Sequence, residues 1–226
     1  LQGPKSRDVL RAAFGDAPTE LKYYRFMEFD WDGVPLIISR TGWSSELGYE
    51  IFLRDGTQGD KLWEHLMAVG GPLGLKPGHT SSIRRIEAGM LSYHADMTLA
   101  NNPYEMGMGR LVDLDMEADF ISKAALTLIK ERGVSQQLVG LEIDGAPFVG
   151  SNDFFWPVLK EGVKVGTVTS AIYSPRLQKN IALAMISIDH TASGRVLQVD
   201  KLSETRACTV VPIPFYDPKK SLATAS

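Results

Sequence analysis

Glu50 is a carboxylate inside "GYEIFL", a run whose alternation otherwise reads as a buried strand. A charge there costs several kcal/mol unless something pairs with it. Alternation sets Glu50 beside Phe52, and Trp43 lies just upstream in "RTGWSSEL". A carboxylate among aromatic faces suits a flat heterocycle with an amidine-like edge. Two N–H donors would meet the two carboxylate oxygens while rings stack above and below. The alternative puts Glu50 on a solvent face, paired with Arg40 or Arg54, and periodicity alone favours that arrangement.

Two further groups carry charge in suggestive places. In "SSIRRIEAGMLSYH", Arg84 and Glu87 stand three apart, the spacing of an ordinary helix surface pair. Arg85 falls off the apolar stripe, with Gly89 a turn later, where a backbone or ligand can come close. Tyr93 extends the segment towards Asp96. A solvated helix face accounts for this group equally simply. In "YSPRLQKN", Arg176 and Lys179 rise from a turn between apolar strands. Cations on such a rim either hold ligand carboxylates or serve solubility. No compact catalytic signature is present: there is no GxSxG, Walker loop, GxGxxG or HExxH. The four histidines, His65, His79, His94 and His190, lack metal-ligand spacing. No catalytic residue is nominated, and no metal site is expected.

These residues must be held by elements that the pattern makes legible. "SRDVLRAAFGD" reads as a helix with Val9, Leu10, Ala13 and Phe14 on one face. Asp32–Gly33 between apolar runs predicts a hairpin with strands near 23–30 and 34–40. "GYEIFLR" is a third strand, and "QGDKLWEHLMAVGG" a helix closed by its glycines. The segment 79–94 reads as one helix with Ile83, Ile86, Met90 and Tyr93 along a side, capped by a hydroxyl of Thr80–Ser82. "DFISKAALTLIKERG" is a last helix. Beyond it come short strands separated by turns, the rhythm of a small barrel or sandwich. The domain boundary falls near 132–136, and "YDPKKSLATAS" reads as a mobile polar tail.

Bulk properties narrow the function. The chain has 226 residues, 44% hydrophobic and 23% charged, as in an ordinary globular protein. A net charge of −3 argues against nucleic acid as a partner. The single cysteine, Cys208, excludes an internal disulfide, and its place in "RACTVVPIP" suits a small buried hydrophobe. No apolar stretch approaches membrane-spanning length and no signal peptide is visible, so a cytoplasmic location without membrane attachment is expected. The chain opens at Leu1 rather than Met, as a processed protein or the later part of a longer one would.

Several segments together resemble one family. "SRTGWSSELGYEIF", "SSIRRIEAGMLSYHADM", "NNPYEMGMGRLVDLDMEADFISKAAL", "QLVGLEIDG" and "GTVTSAIYSPRLQKNIALAMI" are similar, in order, to motifs of the glycine-cleavage T-protein family of tetrahydrofolate-dependent aminomethyltransferases. The resemblance runs from residue 1 to about 217, and "LQGPKS" matches a mid-chain family segment. It implies an α+β fold: a ferredoxin-like layer over 1–132, a small C-terminal β-barrel over 133–217, and a tail over 218–226. It also implies tetrahydrofolate as cofactor, with the carboxylate matching Glu50 on the pterin edge and Trp43 lining the pocket. Arg85 and Tyr93 match residues near the cofactor. Arg176 falls in the "SPxL" turn, where the family pattern fixes no arginine, and is expected at the glutamate tail of folate. Trp43 and "SSEL" depart from the common pattern towards the dimethylsulfoniopropionate demethylase branch. That departure points to methyl transfer from a small donor, with Trp43 or Phe52 holding a sulfonium by cation–π contact. The other readings are an aminomethyl donor, a folate-binding regulatory protein without turnover, or the folate domain of a flavin-linked oxidase. The family's aspartate near folate N5 lies upstream of the segment matching Leu1. An N-terminal part of the same protein, or a second subunit, would complete the site.

Overall fold

The computed structural model describes residues 1–201 and 204–224. The chain packs as two compact units, Leu1–Ser81 joined by Asp217–Ser226, and Ser82–Tyr216.

The first unit is a three-stranded antiparallel sheet in the order β1-β2-β3, with two helices packed against it. Its strands are β1 (Phe26–Trp31), β2 (Val34–Ser39) and β3 (Glu50–Leu53). The β1–β2 turn is made by Asp32 and Gly33, both at positive φ, as the Asp-Gly pair requires. Helices α1 (Ser6–Phe14) and α2 (Gly59–Gly70) supply Leu10, Ala13, Phe14 and Leu62. These meet Trp31, Leu36, Ile38 and Tyr49 in one buried cluster. Burying each such side chain is worth about 1.5–3 kcal/mol.

The closing stretch differs from the expected mobile tail. Asp217 accepts the Ser221 and Leu222 N–H groups at 2.9 and 2.8 Å, Ala223 is buried, and the Arg40 guanidinium donates to the Ala223 carbonyl. Local capping and one buried cation order a segment whose composition alone suggests disorder. Its last two residues, Ala225 and Ser226, lie outside the described residues.

The second unit contains helices α3 (Ser82–Glu87) and α4 (Lys123–Arg132), with a 3-10 turn at Gly109–Leu111 in the segment between them. Six strands follow: β4 (Gln136–Ile143), β5 (Trp156–Lys160), β6 (Val163–Ser174), β7 (Lys179–Ser187), β8 (Val196–Asp200) and β9 (Thr205–Val211). They close in the order β4-β7-β6-β5-β8-β9, which settles barrel over sandwich. Alternate residues of all six strands fill the interior, among them Leu141, Val158, Val168, Ala182, Leu197 and Cys208. Burial pushes the Cys208 thiol up to about 12, so it stays protonated and behaves as a small hydrophobe. Ile181 and Leu183 face outward against Ile86 and Met106, so β7 reads as the unbroken apolar run "IALAMI". A Cβ on Gly166 would lie 2.5 Å from the Met185 carbonyl oxygen and 3.0 Å from Ile186 Cα. Backbone cannot give way, so Gly166→Ala should cost about 1–3 kcal/mol, read from a lower urea midpoint.

The helix expected over 79–94 is much shorter. It ends at Glu87, where Met90 N–H reaches the Arg85 carbonyl and Gly89 N–H the Ile86 carbonyl. Gly89 sits at φ +63, completing a Schellman stop. The apolar period continued past Gly89, but Met90 and Tyr93 lie on the following loop.

Candidate functional site

The register of the first unit's sheet defines its outer face. Phe26, Ser39 and Glu50 form one cross-strand row, and Glu28, Ile37 and Phe52 the next. Directly paired residues share a face, so Glu50 lies in a mixed apolar and hydroxyl surface, opposite the core of Ile38, Ile51 and Leu53. Glu50 is exposed there, on the solvent face that periodicity alone favoured. Neither expected arginine neutralises it. Arg54 pairs with Glu28 at 2.8 Å, and Arg40 is buried, donating to the Leu21 and Ala223 carbonyls. Glu50 Oε2 accepts from the Thr41 hydroxyl instead, and Oε1 has no partner among the described residues. Phe52 is 53% exposed on the same face. Trp43 is half-buried on the loop joining β2 to β3.

That loop is pinned by side chains of the N-terminal segment: Ser6 donates to the Leu47 carbonyl at 3.0 Å, and Gln2 makes several contacts. Gln2 Nε2 donates to the Thr41 and Tyr49 carbonyls at 3.2 and 3.4 Å, and Ser44 donates to Gln2 Oε1 at 2.5 Å. A Cβ at Gly42 or Gly48 would fall 2.2 or 2.3 Å from Gln2 Oε1, so the amide can thread the loop only between two glycines.

The remaining sequence candidates lie in the second unit, where two buried polar knots form around α3. In the first, Asp96 accepts from Arg85 (2.8 Å), the Ser92 N–H (2.9 Å), Thr169 (2.8 Å) and Ser170 (2.6 Å). Arg85 also donates to Ser170 at 2.8 Å. Thr169 falls at the β6 register shift, and the bulge brings two successive hydroxyls to Asp96. In the second knot, Glu87, only 2% exposed, accepts from Ser174 at 2.5 Å and Arg84 at 3.0 Å. Arg176 lies 3.7 Å from the Glu87 carboxylate, with its guanidinium over the Tyr216 ring at 4.2 Å. Arg84 and Glu87 are therefore not the solvated surface pair their spacing allows. Tyr93 is 49% exposed beside His94, and Lys179 pairs with Glu142 on the surface at 2.6 Å. Ser39, Thr41, Thr169 and Ser170 escaped the sequence reading, although they sit inside the quoted motif segments, and Asp96 and Ser174 marked only a loop and a bend.

Among the described residues, no three His, Cys, Asp or Glu side chains cluster as a metal site requires, and no helix is long and apolar enough to cross a membrane. The GCVT N-terminal domain family model matches residues 1–116, and the glycine cleavage T-protein C-terminal barrel domain matches 136–217.

The chain belongs to the glycine-cleavage T-protein family.

Within it, the chain is 36% identical over 210 residues to dimethylsulfoniopropionate demethylase DmdA of Ruegeria pomeroyi, covering 93% of this chain and 57% of that protein. It is 35% identical over 226 residues to an aminomethyltransferase of Bacillus cereus strain AH187, covering 97% of this chain and 60% of the relative. The crystal structure of the glycine cleavage system aminomethyltransferase T of Bartonella henselae superimposes with a TM-score of 0.84 at 24% identity. That superposition covers 96% of this chain and 58% of the other, and speaks to the fold. The chain thus spans under two thirds of the length of these relatives, corresponding to their later part.

Proposed function

We propose that the chain is the folate-holding later part of a tetrahydrofolate-dependent one-carbon transferase, with Glu50 as the anchor for the pterin ring. The observation that carries this reading is the Glu50 carboxylate on an open sheet face, un-neutralised by Arg40 or Arg54 and flanked by Ile37 and Phe52. Its residues fit the group: two oxygens for an N–H pair, and apolar surface for a flat ring. When bound, tetrahydrofolate would supply a nucleophilic nitrogen for the incoming carbon. The protein's part is to bind and orient, and alignment of donor and acceptor can remove about 7–11 kcal/mol of such a barrier. In this reading Trp43 lines the folate pocket, while Trp43 or Phe52 faces the donor. The family resemblance adds Arg85, Tyr93 and Arg176 as further candidates, with Arg85 and Arg176 held within the two knots around α3. The domain division at 132–136, a cytoplasmic location and completion of the site by further protein belong to the same proposal.

For the donor, we favour a small methylated sulfonium such as dimethylsulfoniopropionate, on the strength of Trp43 and the demethylase relative. The aminomethyltransferase relatives support the second reading, an aminomethyl donor. Calorimetric titration of the protein with tetrahydrofolate should give saturable one-to-one binding, and a flat titration would overturn the folate reading. Mass detection after adding each donor separates the chemistries: 5-methyl folate marks the sulfonium reading and 5,10-methylene folate the aminomethyl one. Binding with neither product would instead indicate a folate-binding protein without turnover.

A further inference from the structure

Two hydroxyls at the end of β2 have no part in the folate reading so far. Ser39 Oγ lies 2.7 Å from Thr41 Oγ1, and Thr41 Oγ1 contacts Glu50 Oε2. An ionised carboxylate offers only lone pairs, so the Thr41 proton must point to Glu50. The Thr41 oxygen is then left to accept the proton of Ser39. The relay therefore has one direction, from Ser39 to Thr41 to Glu50. Its origin is fixed, because Ser39 is buried and is the cross-strand partner of Glu50. Its middle is fixed too, because Gln2 grips the carbonyls of Thr41 and Tyr49, the residues on either side of the loop.

We infer that Thr41 is a positioning residue, whose hydroxyl, oriented by Ser39, locks the Glu50 carboxylate so that Oε1 is presented outward on the sheet face. An exposed glutamate otherwise samples many rotamers, and a ligand must arrest them on binding. Here the protein has arrested them beforehand. The lock also restricts ligand chemistry. One lone pair of Oε2 is already taken by a donor, and the remaining positions accept only. The ligand edge must bring N–H donors, as a 2-amino heterocycle does and an edge of two carbonyls does not. The inference rests on Glu50 as the folate anchor and adds the device that aims it.

Titration with tetrahydrofolate of the parent, Thr41→Val, Thr41→Ser and Ser39→Ala tests it. Thr41→Val keeps the volume and removes the hydroxyl, and should weaken binding about tenfold. Thr41→Ser restores the donor and should return affinity to within about twofold of the parent, a rescue that packing alone would not produce. Ser39→Ala strips only the upstream donor, should weaken binding about threefold, and decides the matter if Thr41→Val does not fold. Parent-like affinity in Thr41→Val, or in Ser39→Ala where the valine variant is unfolded, overturns the relay. So does a serine variant as weak as the valine one. A parent that binds no tetrahydrofolate overturns the Glu50 reading itself, which separates the two failures.

Discussion

Replacing Asp96 with alanine should destabilise the protein by about 3–5 kcal/mol, the cost of leaving a buried cation without its partner. Asp96 is 3% exposed and Arg85 is 7% exposed, so water cannot take over the lost interaction. The substitution also strands the Ser92 N–H and the Ser170 hydroxyl, which donate to that carboxylate, while the Thr169 hydroxyl keeps the Leu183 carbonyl as an acceptor. Against a typical total of about 5–15 kcal/mol, this is enough to unfold a large share of the molecules. The measurement is a urea midpoint at constant slope. A double-mutant cycle with Arg85→Leu sharpens it: removing both charges should cost clearly less than the sum of the single losses. Additive losses would mean that the pair does not interact as the geometry shows.

The second large effect concerns binding. Glu50→Gln should lower tetrahydrofolate affinity roughly 30- to 1,000-fold, about 2–4 kcal/mol, because an amide replaces charged acceptors with one weaker acceptor and a donor that opposes the ligand's own N–H groups. Since Glu50 is exposed, stability should move by no more than about 0.5 kcal/mol. Arg54→Ala, which touches Glu28 instead, should bind like the parent. Equal titrations for Glu50→Gln and parent would remove the anchor from the proposal.

The elements were legible wherever a local rule acted alone. Asp32–Gly33 placed its hairpin because only a few residue pairs tolerate two successive positive φ values. The α1 and α2 stripes were readable because each helix buries one face in a single cluster. Where two rules competed, the sequence misled. Past Glu87 the apolar period argued for more helix, while Gly89 offered the left-handed stop that the structure uses. The knots were illegible for another reason. Arg85 and Ser170 stand 85 residues apart, and nothing in either neighbourhood announces the other. The resemblance marked both segments without revealing that they meet. Glu50 shows the converse: alternation gave its face correctly, but not whether that face is covered.

The first unit is assembled from two separated stretches, with Ala223 lying beside Arg40 after the whole barrel has intervened. During synthesis the ribosome therefore delivers the sheet and its helices early, yet withholds the carbonyl of Ala223 that the Arg40 guanidinium awaits. Maturation of that unit must trail translation of the barrel, whatever the intrinsic speed of its own strands.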